Sequence, residues 1–244
     1  MKDFRKSSLE LFYPWLPTKD SKKAKCFFCQ GKNPVKERFC FKLNNKIFTI
    51  KHCFKDDILF LSPQPGGKYA ESLYNHPSYY RSKDDMYGLS LNERKSAAIA
   101  KIRIAEIFKY KPDARSILEI GCGFGNTLLE AKKEGFKVIN GLEFSKKALL
   151  VCKQKGLKVY KTSIKSLPVD LIGKKYDVVA MYSVLEHMPN PLGFLKNIKP
   201  LLAKDGILVI RIPEMSARGP WLSLLDHFWH FTRKSLNKII EEVG

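Results

Sequence analysis

Residues 117–126 read Ile-Leu-Glu-Ile-Gly-Cys-Gly-Phe-Gly-Asn, and this stretch decides the fold. A short apolar strand pattern runs into three glycines at alternate positions, and a helix pattern follows over residues 127–134. Glycine lets the backbone of a sharp strand-to-helix turn approach a ligand closely. Glu143 ends the next strand pattern, about twenty residues on, where a carboxylate can accept both hydroxyls of a ribose. The pattern predicts a nucleoside-cofactor site on an α/β sheet.

The glycine spacing indicates which cofactor this is. A dinucleotide site reads G-x-G-x-x-G, whereas this chain reads G-x-G-x-G and has Asn126 in place of the last glycine. The run resembles the first motif of class I S-adenosylmethionine-dependent methyltransferases. Later segments resemble the same family in chain order: residues 141–145, 163–168, 176–179, 183–188 and 206–210. The alternative is a doubly wound domain with another ligand, such as a nicotinamide dehydrogenase.

The resemblance implies an α/β fold: a Rossmann-like, doubly wound, mostly parallel sheet with helices on both faces. It also implies a small N-terminal zinc-ribbon-like module. The family normally closes its sheet with two more strands, the last antiparallel. Here a final helix pattern over residues 235–243 takes their place, so we expect the closing hairpin to be missing. An open edge is a liability, which favours either a fragment of a longer protein or an edge covered by the module or a partner chain.

Cofactor-binding residues are expected after the strands, because ligands of open α/β sheets bind beyond the carboxyl ends of the strands. The resemblance assigns the following residues to S-adenosylmethionine: Glu119, Gly121, Cys122, Gly123, Gly125, Glu143, Phe144, Ser163, Ile164 and Tyr182. Ser163 stands where the family usually has Asp, and a hydroxyl is a weaker partner for the adenine amine. The backbone amide of Ile164 would then read the ring. Cys122 and Cys152 also suit small core positions.

Two segments supply candidate catalytic residues. Glu186 and His187 follow the fourth strand, and His187 is the best-placed general base because histidine titrates near neutral pH. The alternative is that this pair only organises the loop. Residues 226–232 resemble the substrate side of zinc-ribbon methyltransferases, where His230 would line a pocket for a ring-shaped acceptor. The alternative there is a helix start capped by Thr232, with the aromatic residues in the core.

The N-terminal segment carries a candidate structural zinc site. Cys26 and Cys29 form a C-x-x-C knuckle, and the matching second knuckle offers Cys53 and Asp56. Asp56 stands where a fourth cysteine would be expected, so Cys40 or His52 are alternative fourth ligands. The order of knuckle, hairpin, second knuckle and Pro-x-Pro resembles the zinc ribbon of small-molecule and sugar methyltransferases. The competing interpretation is a degenerate ribbon with buried free thiols.

A turn cluster at residues 63–67 marks the expected boundary between modules. We therefore predict a zinc-ribbon-like module over residues 1–67, a linker and lid helix over 68–112, and a methyltransferase domain over 113–244. The lid contains a helix pattern over residues 91–110 after several tyrosines. Tyr79 or Tyr80 could contact the methionine end of the cofactor, or the tyrosines could simply pack the lid.

The composition indicates the compartment of the protein more clearly than it indicates the substrate. The chain has 244 residues, no apolar stretch long enough for a membrane helix and no signal-peptide pattern, so we expect a cytoplasmic protein. The net charge of +20 would attract an anionic acceptor or nucleic acid. Scattered lysines on a solvated surface explain the charge equally well.

Three functions are therefore open. The first is methyl transfer to a small molecule, with a sugar or nucleotide-sugar as the leading hypothesis by analogy. The second is methylation of ribosomal RNA by way of the basic N-terminal segment. The chain lacks the Asn/Asp-Pro-Pro-Tyr tetrapeptide of base-amine methylation, so the second is less favoured. The third is a non-catalytic cofactor-binding scaffold.

Overall fold

The computed structural model describes residues 9–11, 16–19, 21–76, 93–162, 168–214 and 226–244. The chain divides into two compact units, each assembled from separate segments. The first unit comprises residues 1–73, 185–195 and 212–244, and the second comprises residues 74–184 and 196–211. The linear division at residues 67 and 112 stays a prediction, but two segments that we placed in the methyltransferase domain belong to the first unit.

The described part of the chain contains the following strands and helices. The strands are β1 (Leu9–Leu11), β2 (Val35–Leu43), β3 (Lys46–Cys53), β4 (Ile58–Ser62), β5 (Ser116–Ile120), β6 (Val138–Glu143), β7 (Lys158–Lys161), β8 (Tyr176–Tyr182), β9 (Leu202–Arg211) and β10 (Trp229–Phe231). The helices are α1 (Gly67–Asn75), α2 (Glu93–Tyr110), α3 (Asn126–Lys133), α4 (Lys146–Gln154), α5 (Pro191–Ile198) and α6 (Arg233–Val243).

The second unit is built on a parallel sheet with the strand order β7-β6-β5-β8-β9. Its central strands are apolar on both faces, as parallel strands covered by helices must be, and β8 is buried along nearly its whole length. The strand order reverses between β5 and β8. Such a switch point opens a crevice at the carboxyl ends of the strands, which is where the candidate cofactor residues lie in the sequence.

The core of the second unit joins this sheet to its helices. Ile104 and Ile107 of α2 pack in one cluster with Leu128 of α3 and Val178 of β8.

The boundaries of the sheet are fixed by polar groups. Asp177 accepts hydrogen bonds from the backbone amides of residues 115 and 116 at 2.8 and 2.9 Å, which holds the start of β5 against β8.

The first unit contains a different sheet, in the order β1-β2-β3-β4-β10. Strands β2 and β3 form an antiparallel hairpin whose turn residues, Asn44 and Asn45, have φ of 47° and 67°. Two left-handed residues match the turn that twisted hairpins favour. β10 pairs antiparallel with β4, with His230 opposite Leu59. Residues close to the C-terminus therefore complete a sheet that begins near the N-terminus.

The structure confirms the predicted α/β class, a parallel five-stranded sheet flanked by helices. The helix predicted over 127–134 is α3, and the helix predicted over 235–243 begins two residues earlier as α6. Among the described residues, β9 pairs with β8 alone and the short β10 joins the other unit's sheet. None of the described helices is both long enough and apolar enough to span a bilayer.

Candidate functional site

The glycine loop after β5 has empty space beside its backbone at one position, Gly123. Gly123 has a φ of +53°, and a methyl group built on it would meet no atom within 4 Å. Gly125 also has a positive φ, +74°, but a methyl group there would lie 2.3 Å from Leu157. Gly125 is therefore needed for packing, whereas Gly123 leaves space beside the backbone. A backbone cradle of this kind lets a ligand approach closely.

Glu143 at the end of β6 is fixed against this loop. Its Oε2 accepts a hydrogen bond from the backbone amide of Gly123 at 2.7 Å. Its Oε1 accepts from the backbone amides of Phe144 and Ser145 at 2.7 and 2.8 Å. The two oxygens of a carboxylate offer about four lone-pair sites, so the three bonds leave capacity for a hydroxyl. The structure thus brings together the loop and the carboxylate that the sequence predicted.

Phe144 extends this strand end with an apolar surface. Its half-buried ring packs edge-to-face against Tyr74, with ring centroids 6.0 Å apart. Next to it, the backbone amide of Lys146 donates to the side-chain oxygen of Asn75 at 3.1 Å. The end of α1 therefore borders the loop after β6, and the lid over residues 68–112 stays a prediction. Tyr79, Tyr80, Ser163 and Ile164 lie outside the described residues.

A buried polar group lies at the carboxyl end of β5 and β8. Glu119 is 2% exposed, and its Oε1 lies 3.6 Å from Nη1 of Arg103. The guanidinium of Arg103 stacks over the ring of Tyr182 at 3.8 Å. Burial raises the pKa of Glu119 to about 7, against the opposing charge of Arg103. Burial also raises the pKa of Tyr182 above its ordinary value.

Three atoms of this group have no hydrogen-bond partner within the described chain. They are Oε2 of Glu119, the hydroxyl of Tyr182 and Nε of Arg103. A buried polar atom without a partner costs about 1–3 kcal/mol, so such atoms usually face a ligand or water. Arg103 was not among the site residues predicted from the sequence. The signal available was a cation at an otherwise apolar position of the helix pattern, which indicates a buried partner.

A histidine cluster lies in the first unit. Glu186 and His187 form a short 3-10 turn after β8, while His227 precedes β10 and His230 lies within it. The rings of His187 and His227 meet edge-to-face at 4.8 Å, and those of His227 and His230 are 5.8 Å apart. The structure thus brings all three predicted catalytic residues into one cluster, and it adds His227, which our site assignment omitted.

Asp226 contacts two members of this cluster. Nδ1 of His187 lies 2.5 Å from the backbone oxygen of Asp226, and one carboxylate oxygen of Asp226 lies 3.9 Å from Nε2 of His227. His230 is deeply buried, and its Nε2 has no hydrogen-bond partner within the described residues. Burial, aided by the neighbouring His187 and opposed by the charge of Asp226, lowers the pKa of His230 to about 4. His230 is therefore neutral near pH 7.

The four predicted zinc ligands also come together, in the first unit. One ligand atom from each of Cys26, Cys29, Cys53 and Asp56 lies within 4.8 Å of the others. The sulfur atoms of Cys29 and Cys53 are 3.9 Å apart, close to the roughly 3.8 Å that two thiolates span on a tetrahedral zinc ion. Asp56 accepts from the thiols of Cys26 and Cys53 at 3.2 and 3.1 Å.

Lys238 of α6 forms an ion pair with Asp56, in which its Nζ lies 2.6 Å from Oδ1 of the carboxylate. Burial would raise the pKa of Asp56, but the hydrogen bonds from Lys238 and the thiols outweigh it and lower that pKa to about 2. Burial raises the pKa of Cys53 to about 11. The alternative fourth ligands lie elsewhere: Cys40 is exposed on β2, and His52 bonds to Arg38 at 2.9 Å.

Comparison with known proteins identifies the family behind this geometry. The profile of a family described as a methyltransferase domain matches residues 91–244. The chain belongs to this family. The resemblance to class I methyltransferases is thereby confirmed, and the nicotinamide dehydrogenase alternative is rejected. The zinc-ribbon part of the resemblance stays a prediction.

Curated relatives match this chain over part of their length. A ubiquinone biosynthesis O-methyltransferase of Haemophilus ducreyi is 30% identical over 105 residues, which are 39% of this chain and 44% of the relative. The ribosomal protein L11 methyltransferase of Dictyoglomus turgidum is 31% identical over 104 residues, or 42% of this chain and 34% of the relative. The chain thus spans less than half the length of either relative.

Solved structures show the same fold at low identity. The plantazolicin methyltransferase BamL, in complex with a triazolic analog and SAH, has a TM-score of 0.56 and 17% identity over 72% of this chain and 71% of that chain. The plantazolicin methyltransferase BpumL in complex with SAH has a TM-score of 0.54 and 18% identity over 72% and 73%. These likenesses establish the fold of this chain.

Proposed function

We propose that the chain transfers the methyl group of S-adenosylmethionine to a small-molecule acceptor. One observation carries this proposal: the open backbone at Gly123 is held by the fixed carboxylate of Glu143 within a methyltransferase fold. The relatives and the SAH-bound structural neighbours support the same chemistry. A cofactor-binding scaffold without activity is the rival, and the buried, unpartnered Nε2 of His230, which lies outside the cofactor residues, argues against it.

The residues of the second unit fit the parts of this cofactor. The free lone pairs of Glu143 would accept ribose hydroxyls, and Phe144 would pack on the adenine. Arg103 and Glu119 would receive the carboxylate and the amino group of the methionine part, which would satisfy their unpartnered atoms. When bound, the cofactor supplies an electrophilic methyl group on a positively charged sulfur. The protein then has to orient the acceptor and manage one proton.

The acceptor side is assigned to the histidine cluster. We propose that Glu186, His187 and His230 bind and activate the acceptor, with His187 as the group that acts on its proton. The hydrogen bond from Nδ1 of His187 to a backbone carbonyl supports this role, because it leaves the lone pair of Nε2 on the other side of the ring. His230, which is neutral and buried, suits a positioning role.

An acceptor with a hydroxyl group is favoured. The ubiquinone biosynthesis relative is an O-methyltransferase, and a sugar or nucleotide-sugar acceptor rests on the family resemblance from the sequence. The positive charge of the chain would favour an anionic acceptor of this kind. RNA is the second candidate, because the N-terminal segment is basic.

We further propose that the cysteine group binds a structural zinc ion. Its donor set of three thiols and one carboxylate fits zinc, and the thiol protons would leave when the ion binds. Thiolate ligands require a reducing compartment, which agrees with the cytoplasmic setting expected from the sequence.

Calorimetry with S-adenosylhomocysteine tests the cofactor assignment. We expect binding by the wild type and a loss of roughly tenfold or more in Glu143→Gln, because the amide cannot accept from both ribose hydroxyls and backbone amides as the carboxylate does. Glu134→Gln is the matched control, because Glu134 is exposed at the end of α3. A folded wild type that gives neither heat nor a thermal shift would refute the proposal.

Labelled S-adenosylmethionine added to a cell extract tests the acceptor class. We expect label in a small molecule that resists nuclease and is soluble in acid. Label that nuclease releases from RNA, together with RNA binding that weakens steeply as salt rises, would instead support the second candidate.

A further inference from the structure

The first unit contains a second group with the donor set of a metal site. A carboxylate oxygen of Glu186 and one ring nitrogen from each of His187 and His227 lie within 4.8 Å of one another. Glu186 and His187 are buried, and the side chain of His227 is 12% exposed. One carboxylate and two imidazoles form a ligand set that suits first-row divalent metals and leaves coordination positions open.

Asp226 lies beside both imidazoles of this group and is hydrogen-bonded to that of His187. A backbone carbonyl can only accept, so the 2.5 Å contact fixes the proton of His187 on Nδ1 and leaves the Nε2 lone pair for another partner. The carboxylate of Asp226 lies 3.9 Å from Nε2 of His227. Histidines that bind metals usually donate their second nitrogen to a carboxylate or carbonyl, as His187 does here, and this bond sets ring orientation and basicity.

The backbone holds the two halves of the group in place. The amide of Phe228 donates to the carbonyl of Glu186 at 2.9 Å, and the indole nitrogen of Trp229 donates to the carbonyl of Met188 at 2.7 Å. These bonds tie the turn that carries Glu186 and His187 to the segment that carries His227. The ligand atoms are therefore presented by one rigid part of the unit.

The donor atoms lie slightly farther apart than they would around a bound metal ion. Nε2 of His187 lies 4.0 Å from Oε1 of Glu186. Two ligands about 2.1 Å from the same ion are roughly 3 to 3.5 Å apart, so binding would draw these atoms together by less than about 1 Å. Side-chain rotation of Glu186 is sufficient for a movement of this size.

His230 gives a second observation that points to a ligand here. It is 4% exposed, its Nε2 has no hydrogen-bond partner within the described residues, and its ring neighbours that of His227. A buried imidazole nitrogen without a partner usually indicates a missing ligand or water.

We propose that Glu186, His187 and His227 bind one divalent transition-metal ion, whose open positions take an oxygen of the acceptor. The use of the ion rests on the proposed function: a metal ion lowers the pKa of a bound hydroxyl, so the acceptor's hydroxyl would release its proton to solvent water, and His187 would hold the ion rather than act as a free base. Binding of the ion itself requires neither cofactor nor acceptor.

Cobalt titration of the chelator-treated full chain tests this proposal. We expect one bound equivalent of Co²⁺ without a thiolate-to-cobalt charge-transfer band, because this site contains no sulfur, whereas the cysteine group would produce that band. His227→Gln should weaken the sulfur-free equivalent by roughly tenfold or more, the usual cost of losing a ligand or its orientation. Glu186→Gln should do the same. His76→Gln, a histidine of the other unit, should leave it unchanged.

Circular dichroism confirms that each variant is folded, and S-adenosylhomocysteine binding is measured on the same samples. If the wild type binds no sulfur-free equivalent, or if folded His227→Gln and Glu186→Gln both bind it as tightly as the wild type, the metal proposal is wrong. If the wild type does not bind S-adenosylhomocysteine, the proposed function is contradicted instead. Failure of the metal proposal and failure of the proposed function therefore give different results.

Discussion

At the residue scale, single glycines and carboxylates determine what this chain can bind. Gly123 and Gly125 have similar backbone angles but different surroundings, since a side chain at Gly123 meets open space and one at Gly125 meets Leu157. The sequence pattern G-x-G-x-G does not distinguish them. The structure separates them: Gly125 is packed against Leu157, whereas the open space at Gly123 supports its proposed role in binding.

Alanine substitution at these two glycines should separate binding from stability. We expect Gly125→Ala to destabilise the fold by about 2 kcal/mol or more, through both backbone strain and a steric clash. Gly123→Ala should cost about 1–2 kcal/mol from strain alone, but should abolish S-adenosylhomocysteine binding because its methyl group fills the cradle. Urea unfolding and calorimetry measure the two effects. Equal stability losses with intact binding would contradict this assignment.

Glu119 should make stability depend on pH near neutrality. Its pKa is raised from 4.5 in the unfolded chain to about 7 in the fold. The folded chain therefore keeps a proton that the unfolded chain has released, and stability falls as pH rises from about 4.5 to 7. Above pH 7 the wild type has lost about 3 kcal/mol of its free energy of unfolding. Glu119→Gln cannot ionise at this position and should not show this loss. Urea unfolding between pH 5 and pH 8 measures this difference, and parallel curves for the two proteins would refute it.

At the scale of elements, polar side chains fix where strands and helices begin. Asp177 on β8 holds the start of β5, and the hydroxyl of Ser116 completes the contact by donating to Asp177 at 2.9 Å. Thr232 caps α6, where its hydroxyl accepts from the backbone amide of Ser235 at 3.2 Å. The alternative we gave for Thr232, a helix cap, thus describes its position, and it coexists with the buried imidazole of His230.

Asp177→Asn should weaken the junction between β5 and β8. These hydrogen bonds lower the pKa of Asp177 below 3.8, although burial opposes them, so the carboxylate stabilises the fold above pH 3.8 and loses this effect as pH falls through its folded pKa. We expect a loss of about 1–2 kcal/mol at pH 7 that shrinks at acid pH. Chemical denaturation measures it, with Asp205→Asn as an exposed control. A loss that stays constant with pH would exclude the ionic contribution.

At the scale of the whole molecule, the sequence predicted the elements better than their grouping. Apolar runs and the glycine turn predicted β5, α3 and β6 to within about one residue, because these signals are local. The pairing of β10 with β4 was not predictable, because three residues, Trp-His-Phe, carry no periodicity and their partner lies far away in the chain. The two knuckles predicted the cysteine group because fixed spacing is itself a local signal. His227 was missed because only tertiary structure brings it to His187.

Loss of the cysteine group should affect the first unit and spare the second. If zinc binds there, Cys53→Ser and strong chelation should each increase hydrogen exchange in β2, β3 and β4, because metal binding contributes to folding. Cys40→Ser is the control, since Cys40 is exposed and outside the group. Exchange in β5 and β8 should change little. Two results together would show that the thiols bind no metal. They are the absence of zinc from the wild type and equal hydrogen exchange in Cys53→Ser and Cys40→Ser.

The strand pairing of β10 with β4, and the contact of Lys238 with Asp56, have a consequence for synthesis of the chain on the ribosome. The amino-terminal sheet emerges first but acquires its last strand and its lysine partner only when residues 229–243 have left the exit tunnel. Until then its apolar edge and its cysteines stay uncovered. The strands of this sheet are therefore made before the residues that complete it, so the sheet matures only after those residues have emerged.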